Sequence, residues 1–231
     1  MRQTLFVIFF GGTFLLACGC KEAASGQEKP KVKLYIDFFV RFLADESQLK
    51  AQATFSEGIS PDEAKPKHIE GGVAFQSSGM VERNIQAKII RYESIREGVY
   101  TGDFPFQFKD DEGNQRAYHL KMSPVEDFFL KGAISRSKGM TIVVNGGLIK
   151  ANEQLVFFFS DKDNKAYSIT LSGPAKTIEF VLESAQTAPL HLGPGKLYLV
   201  KRQDNQQEND EISLVSSIEY YTKAIDIEVG E

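Results

Sequence analysis

The chain has 231 residues, with 31 acidic and 27 basic side chains, a formal net charge of −4 and no basic block. That distribution argues against a nucleic-acid or other polyanion partner, because such binding needs clustered Lys and Arg to displace counterions. Hydrophobic residues at 42% and charged residues at 25% are the mix of a globular protein with apolar surface for one large or two ordinary cores, and two cysteines do not make a disulfide framework.

Residues 1–17 carry one charge, Arg2, followed by Leu5, Phe6, Val7, Ile8, Phe9 and Phe10 and an apolar stretch that ends at Ala17. A cationic start and a short apolar run form the pattern of a secretion signal. The run is too short to span a bilayer, since about 30 Å of hydrocarbon takes roughly 20 helical residues. Leu15, Leu16, Ala17 and Cys18 stand where cleavage is expected. This quartet resembles the lipobox of bacterial lipoproteins, a Leu-x-small triplet before a cysteine. The resemblance implies a signal peptide over 1–17, acylation of the Cys18 sulfur, and a mature chain that starts at Cys18 and is held to a membrane by lipid. Ala17, Cys18, Gly19 and Cys20 would also pass as a degenerate lipobox with Cys20 acylated; the leucine three places before Cys18 favours Cys18. A metal or redox pair at Cys18 and Cys20 lacks the second cysteine pair or nearby histidine that completes a tetrahedral site.

Residues 18–31 are small, polar and interrupted by Pro30, a composition that predicts a flexible tether. The residue after the lipidated cysteine is Gly19. In Gram-negative lipoproteins an Asp there resembles an inner-membrane retention signal, so the resemblance implies the outer membrane of the cell envelope. Lys21 and Glu22 are similar to the short charged signal that sends some Bacteroidota lipoproteins to the cell surface. Loss of Arg2 with the signal would turn the net charge from −4 into −5. With no cysteine beyond Cys20, the body must be stabilised by apolar burial rather than disulfides.

Beyond the tether the dominant pattern has period two, which predicts strands with one buried face. Val32, Leu34, Ile36, Phe38, Val40 and Phe42 share a face, and similar alternation recurs at Ala51, Ala53 and Phe55, at Ile85, Ala87 and Ile89, at Phe104, Phe106 and Phe108, and at Tyr118, Leu120 and Met122. Residues 109–116 are turn-rich and predict a hairpin. Residues 60–65, with Pro61 at a first helical position, predict at most a turn or two of helix. Pro124 interrupts the ladder, and the alternation resumes through Phe157 and Phe159 and through Leu197 and Leu199. In the run of residues 156–159, Val156 and Phe158 occupy the opposite face, so this strand needs cover on both sides. These features predict an all-β protein of two consecutive β-sandwich domains of immunoglobulin-like size, over 32–124 and 125–231, without the Trp or disulfide of a true immunoglobulin domain.

No motif for chemistry accompanies this pattern. His68 falls in a polar loop, His119 on a strand's outer face, and His191 beside a turn predicted at the Gly-Pro-Gly of residues 193–195, far apart in sequence. No HExxH, GxSxG or nucleotide fingerprint occurs, and the Ser-x-x-Lys matches at Ser47 and Ser135 lack their companion Lys-Thr-Gly. Asp161, Asp163 and Lys165 begin like a calcium loop but place Lys where an oxygen ligand is needed, which predicts a solvated hairpin tip. Residues 203–211 are polar throughout and predict a mobile connection that could bind a cation or a partner. Catalytic, cofactor and metal residues are therefore not expected. Two functional classes remain. One is a non-enzymatic, structural or protein-docking lipoprotein of the envelope. The other is a surface module for a glycan or another nutrient, for which Tyr92, Tyr118, Tyr167, Tyr198, Tyr220 and Tyr221 could supply a platform.

Overall fold

The structure, a computed structural model, describes residues 31–231 other than 87 and 164. The signal sequence, Cys18 and the tether through residue 30 lie outside the described residues. The described chain is almost wholly β. Its first half forms β1 (Lys33–Leu43), β2 (Gln48–Gly58), β3 (Lys65–Pro66), β4 (Val73–Phe75), β5 (Ser78–Gly79), β6 (Val81–Ile85), β7 (Ile89–Glu97), β8 (Asp103–Lys109) and β9 (Gln115–Lys121). The second half adds β10 (Asp127–Leu130), β11 (Ile134–Ser135), β12 (Met140–Asn145), β13 (Glu153–Asp161), β14 (Ala166–Ser172), β15 (Glu179–Leu182), β16 (Gly193–Glu208), β17 (Ile212–Tyr221) and β18 (Ile225–Gly230). Pro61 opens a 3₁₀ turn, Pro61–Glu63, and the single-turn helix α1 (Ser184–Thr187) is closed by a capping box between Glu183 and Gln186.

Among the described residues the strands form one large sheet, in the order β11-β18-β16-β17-β1-β2-β7-β6, and two small ones, β5-β4-β8-β9 and β10-β12-β15. The length of β16 lets the large sheet branch. Residues 193–197 of β16 pair with β18 and residues 200–208 with β17, while β13 runs along its other side over 195–203 and carries β14. β17 and β18 thus follow β16 as one strand interrupted at 222–224. There the Leu199 N–H donates to the Thr222 hydroxyl and the Thr222 N–H to the Leu199 carbonyl, both at 2.9 Å. The far side of β17 takes β1 in parallel, and that of β18 takes β11 in parallel.

Each small sheet closes a core against its part of the large one. In the first, Phe38 stacks on Phe106 at 4.2 Å between centroids, and Phe55 meets Phe108 edge-on at 4.9 Å. In the second, Phe157 lies under Phe180 at 6.2 Å, among Leu155, Leu197 and Leu199. The aromatic and aliphatic residues expected to anchor the body, from Phe38 to Leu199, are buried. The first core also takes Leu214 and Ile218 from β17, and Tyr220 touches both cores. The halves 32–124 and 125–231 therefore share a sheet: β1 of the first half is flanked by β17 of the second.

Four local readings need correction. The alternation through residues 85–89 is a hairpin turn between β6 and β7, with Gln86 at φ 51°, rather than a continuing strand. The Gly-Pro-Gly at 193–195 starts β16; a Cβ on Gly195 would stand 2.5 Å from the Ser160 carbonyl oxygen, so the glycine permits close pairing with β13. The outer face of β13, expected to be covered, is only half-buried: Val156 and Phe158 keep partial exposure, and Phe158 stacks sideways on Tyr198 of β16 at 5.1 Å. Of residues 203–211, expected to be a mobile connection, 203–208 are strand: the ladder to β17 holds them despite their polarity, and that to β13 reaches Gln203.

Candidate ligand groove

The last correction creates the site. Among the described residues β9 is an edge strand, paired with β8 alone. Pro105 of β8 stands opposite His119. Pro105 has no N–H, and its carbonyl accepts from the Gln76 N–H at 3.0 Å, on the side away from β9. In an antiparallel pair, hydrogen-bonded and non-bonded residue pairs alternate. His119 is thus in a non-bonded pair, while Met122, whose N–H donates to the Gly102 carbonyl at 3.2 Å, fixes the bonded set as the even-numbered residues. The N–H and C=O groups of Ala117, His119 and Lys121 consequently point to the free edge.

That edge faces the inner side of β16 and β17 across an open cavity of about 410 Å³. Tyr118 and Leu120 form its wall, and Gln203, Asn205, Gln207, Leu214 and Ser216 line its floor. The inner face of β16 changes character along its length: Leu197 and Leu199 serve the second core, Lys201 follows, and then come the three amides. None of the β16 residues belongs to the first core, so the small sheet leaves this stretch uncovered. Gln203 is 7% exposed, and its Oε1 has no hydrogen-bond partner. A buried amide oxygen without a partner among the described residues costs about 1 to 3 kcal/mol relative to a satisfied one. Asn205 is held at the far side by Asn152, whose amide donates to its Oδ1.

Just behind Gln203 lies a buried ion pair. Lys201 and Glu153, 2% and 1% exposed, approach to 3.4 Å, and the Lys201 Nζ donates to the carbonyl of Leu148 at 3.0 Å and to that of Gly146 at 3.4 Å. Burial pushes the Lys201 ammonium below the ordinary lysine value, against the pull of Glu153. This lysine ties the loop at residues 146–148 to β16 and does not line the groove. The groove itself offers neutral donors and acceptors at regular intervals, which suits recognition of a polar, extended ligand.

The histidines singled out in the sequence are not brought together. His68 lies 2.9 Å from Glu82, His119 3.0 Å from Asp103, and His191 3.8 Å from Asp161, each more than half exposed. Among the described residues no group of three or more His, Cys, Asp or Glu side chains is placed to hold a metal ion. Asp161 accepts the N–H groups of Asp163 and Lys165 and so shapes its hairpin tip. A second cavity, of about 160 Å³, opens where β1 begins; Lys67 is engaged there with Glu57 and Asp111, and Arg116 with Asp110 at 2.8 Å, while Glu112 and Glu211 also line it.

No protein-family model and no curated protein matches this chain. Of the groove residues, sequence reasoning singled out Tyr118 and His119 and placed Gln203, Asn205 and Gln207 in a loop. The signal that could have found them is the recurrence of an amide at every second position before the apolar alternation of β17.

Proposed function

We propose that the protein is a lipid-anchored, non-enzymatic component of the cell envelope, on the outer membrane, that works by docking a partner in the groove between β9 and β16. The observation that carries this reading is the edge of β9, unpaired among the described residues, which faces a floor of three amides, Gln203, Asn205 and Gln207, across a cavity of about 410 Å³. Membrane attachment rests on the signal and lipobox order of residues 1–18. A glycan ligand is the second reading, favoured by the ring of Tyr118 beside the amides of Gln203 and Asn205. A photo-crosslinking amino acid placed at Tyr118, with the same group at exposed Val181 of the other sandwich as control, tests the site in intact cells. A discrete adduct from position 118 that disappears in Gln203→Met is the expected result. Adducts from 181 and none from 118 would move the docking surface elsewhere.

A further inference from the structure

The groove's occupant can be specified by chemistry, on the reading that the groove is the docking site. We propose that it is an extended polypeptide strand of a partner protein, which adds to β9 as a fifth strand of the small sheet and lies over Gln203, Asn205 and Gln207.

Three features of the groove select a strand. The wall presents backbone N–H and C=O groups from Ala117, His119 and Lys121, one residue in two, which repeats every ~6.7 Å. The floor presents amides from Gln203, Asn205 and Gln207 at the same two-residue interval. A peptide strand in this position matches both rows at once: its backbone completes the β9 ladder, and its inward side chains or amides reach the floor. The small sheet β5-β4-β8-β9 also leaves residues 203–207 of β16 without a contribution to the first core. A glycan could satisfy the amides but has no regular counterpart to the strand edge.

The surroundings specify the segment further. Its inward positions face amides and a serine, so Asn, Gln, Ser or Thr fit there, and large apolar side chains would strand Gln203 unsatisfied. Its outward positions lie beside His119 and Lys121, which Asp103 already engages at 3.0 Å and 3.7 Å, so these positions call for no further carboxylate.

Random linear dodecapeptides displayed on phage and selected on the detergent-solubilised full chain supply the probe, with anisotropy of the most enriched peptide as readout and an immobilised oligosaccharide array as the parallel arm. His119→Pro removes one free-edge N–H without touching the β8 ladder, and His119→Ala removes only the side chain. The expected result is enriched peptides of alternating polar character whose affinity falls about tenfold or more in His119→Pro, stays within about threefold in His119→Ala, and falls about fivefold in Gln203→Met for the loss of one neutral hydrogen bond. N-methylation of alternate peptide residues should abolish binding in one phase and spare it in the other; this decides the question if circular dichroism shows His119→Pro to be unfolded. Peptide binding indifferent to His119→Pro and to N-methylation overturns strand addition while leaving the groove in place. Oligosaccharide binding that is lost in Gln203→Met, with no peptide enriched, overturns the occupant and keeps the site. A dimer that His119→Pro dissociates overturns it in favour of a second copy. Failure of every probe to bind removes the proposal and the docking groove together.

Discussion

Lys201→Met probes the junction on which the branched sheet depends. Methionine occupies nearly the same space but leaves the Glu153 carboxylate without its ammonium, and it removes the donor to the Gly146 and Leu148 carbonyls. Removing one member of a buried pair costs about 3 to 5 kcal/mol. The lower end, about 3 kcal/mol, is expected here, because the Lys150 N–H still donates to Glu153 at 2.9 Å and the Lys150 ammonium lies 3.8 Å away. Replacing both members with methionine removes the stranded charge, so the double variant should be more stable than Lys201→Met. Urea denaturation followed by tyrosine fluorescence measures this, and the absence of Trp leaves that signal clean. The pH dependence has a definite sign. Burial lowers the folded-state Lys201 pKa below the ordinary 10.5, so the unfolded chain binds the extra proton in the interval between the two values. The lysine's contribution is therefore least favourable below its folded pKa and improves as pH rises towards 10.5. Lys201→Met should abolish that rise. Effects of the two single variants that add to within about 0.5 kcal/mol, or a Lys201→Met midpoint equal to the parent's, would refute the coupling.

Phe38→Ala removes a fully buried ring stacked on Phe106 and should lower stability by about 3 to 5 kcal/mol, read as a shift in the urea midpoint. Gln203→Met should leave the free protein as stable or raise it by about 1 kcal/mol, since it removes an unsatisfied buried acceptor; a clear loss of stability would mean that the oxygen is satisfied after all. Cys18→Ser should abolish metabolic labelling with fatty acid and leave the signal uncleaved. Label that persists, or that is lost only in Cys20→Ser, would place the lipid elsewhere.

Strand content and buried faces were legible because period two states which side of a strand each residue occupies. Phe38, Phe106 and Phe157 needed nothing more to be placed in cores. Strand partners were not legible by the same means. β1 lies between β2, its sequence neighbour, and β17, which arrives in parallel from the far end of the chain, and alternation carries no record of that choice. The groove failed for a related reason. Residues 203–208 are polar on both faces, so hydropathy reads them as loop, whereas the backbone ladder to β17, joined at Gln203 by that to β13, makes them strand whatever their side chains. The burial of Gln203 comes from the junction of two cores around β16, a property of topology that no local window contains.

The same topology explains why the groove stays open. An apolar stretch at 203–207 would have extended the first core over β16, but with the small sheet ending at β9 it would have been an uncovered apolar floor beside an unpaired edge, the combination most prone to aggregation. Amides at these positions keep the floor compatible with water while retaining a hydrogen-bonding pattern for a specific occupant. They also stand on a strand that is firmly held: the ladder to β13 reaches Gln203, the ladder to β17 runs from residue 200 to 208, and Lys201, two residues before Gln203 on the same face, is pinned to residues 146–148. A ligand that engages Gln203 therefore meets a pre-organised floor, and less of its binding energy is lost to ordering the protein.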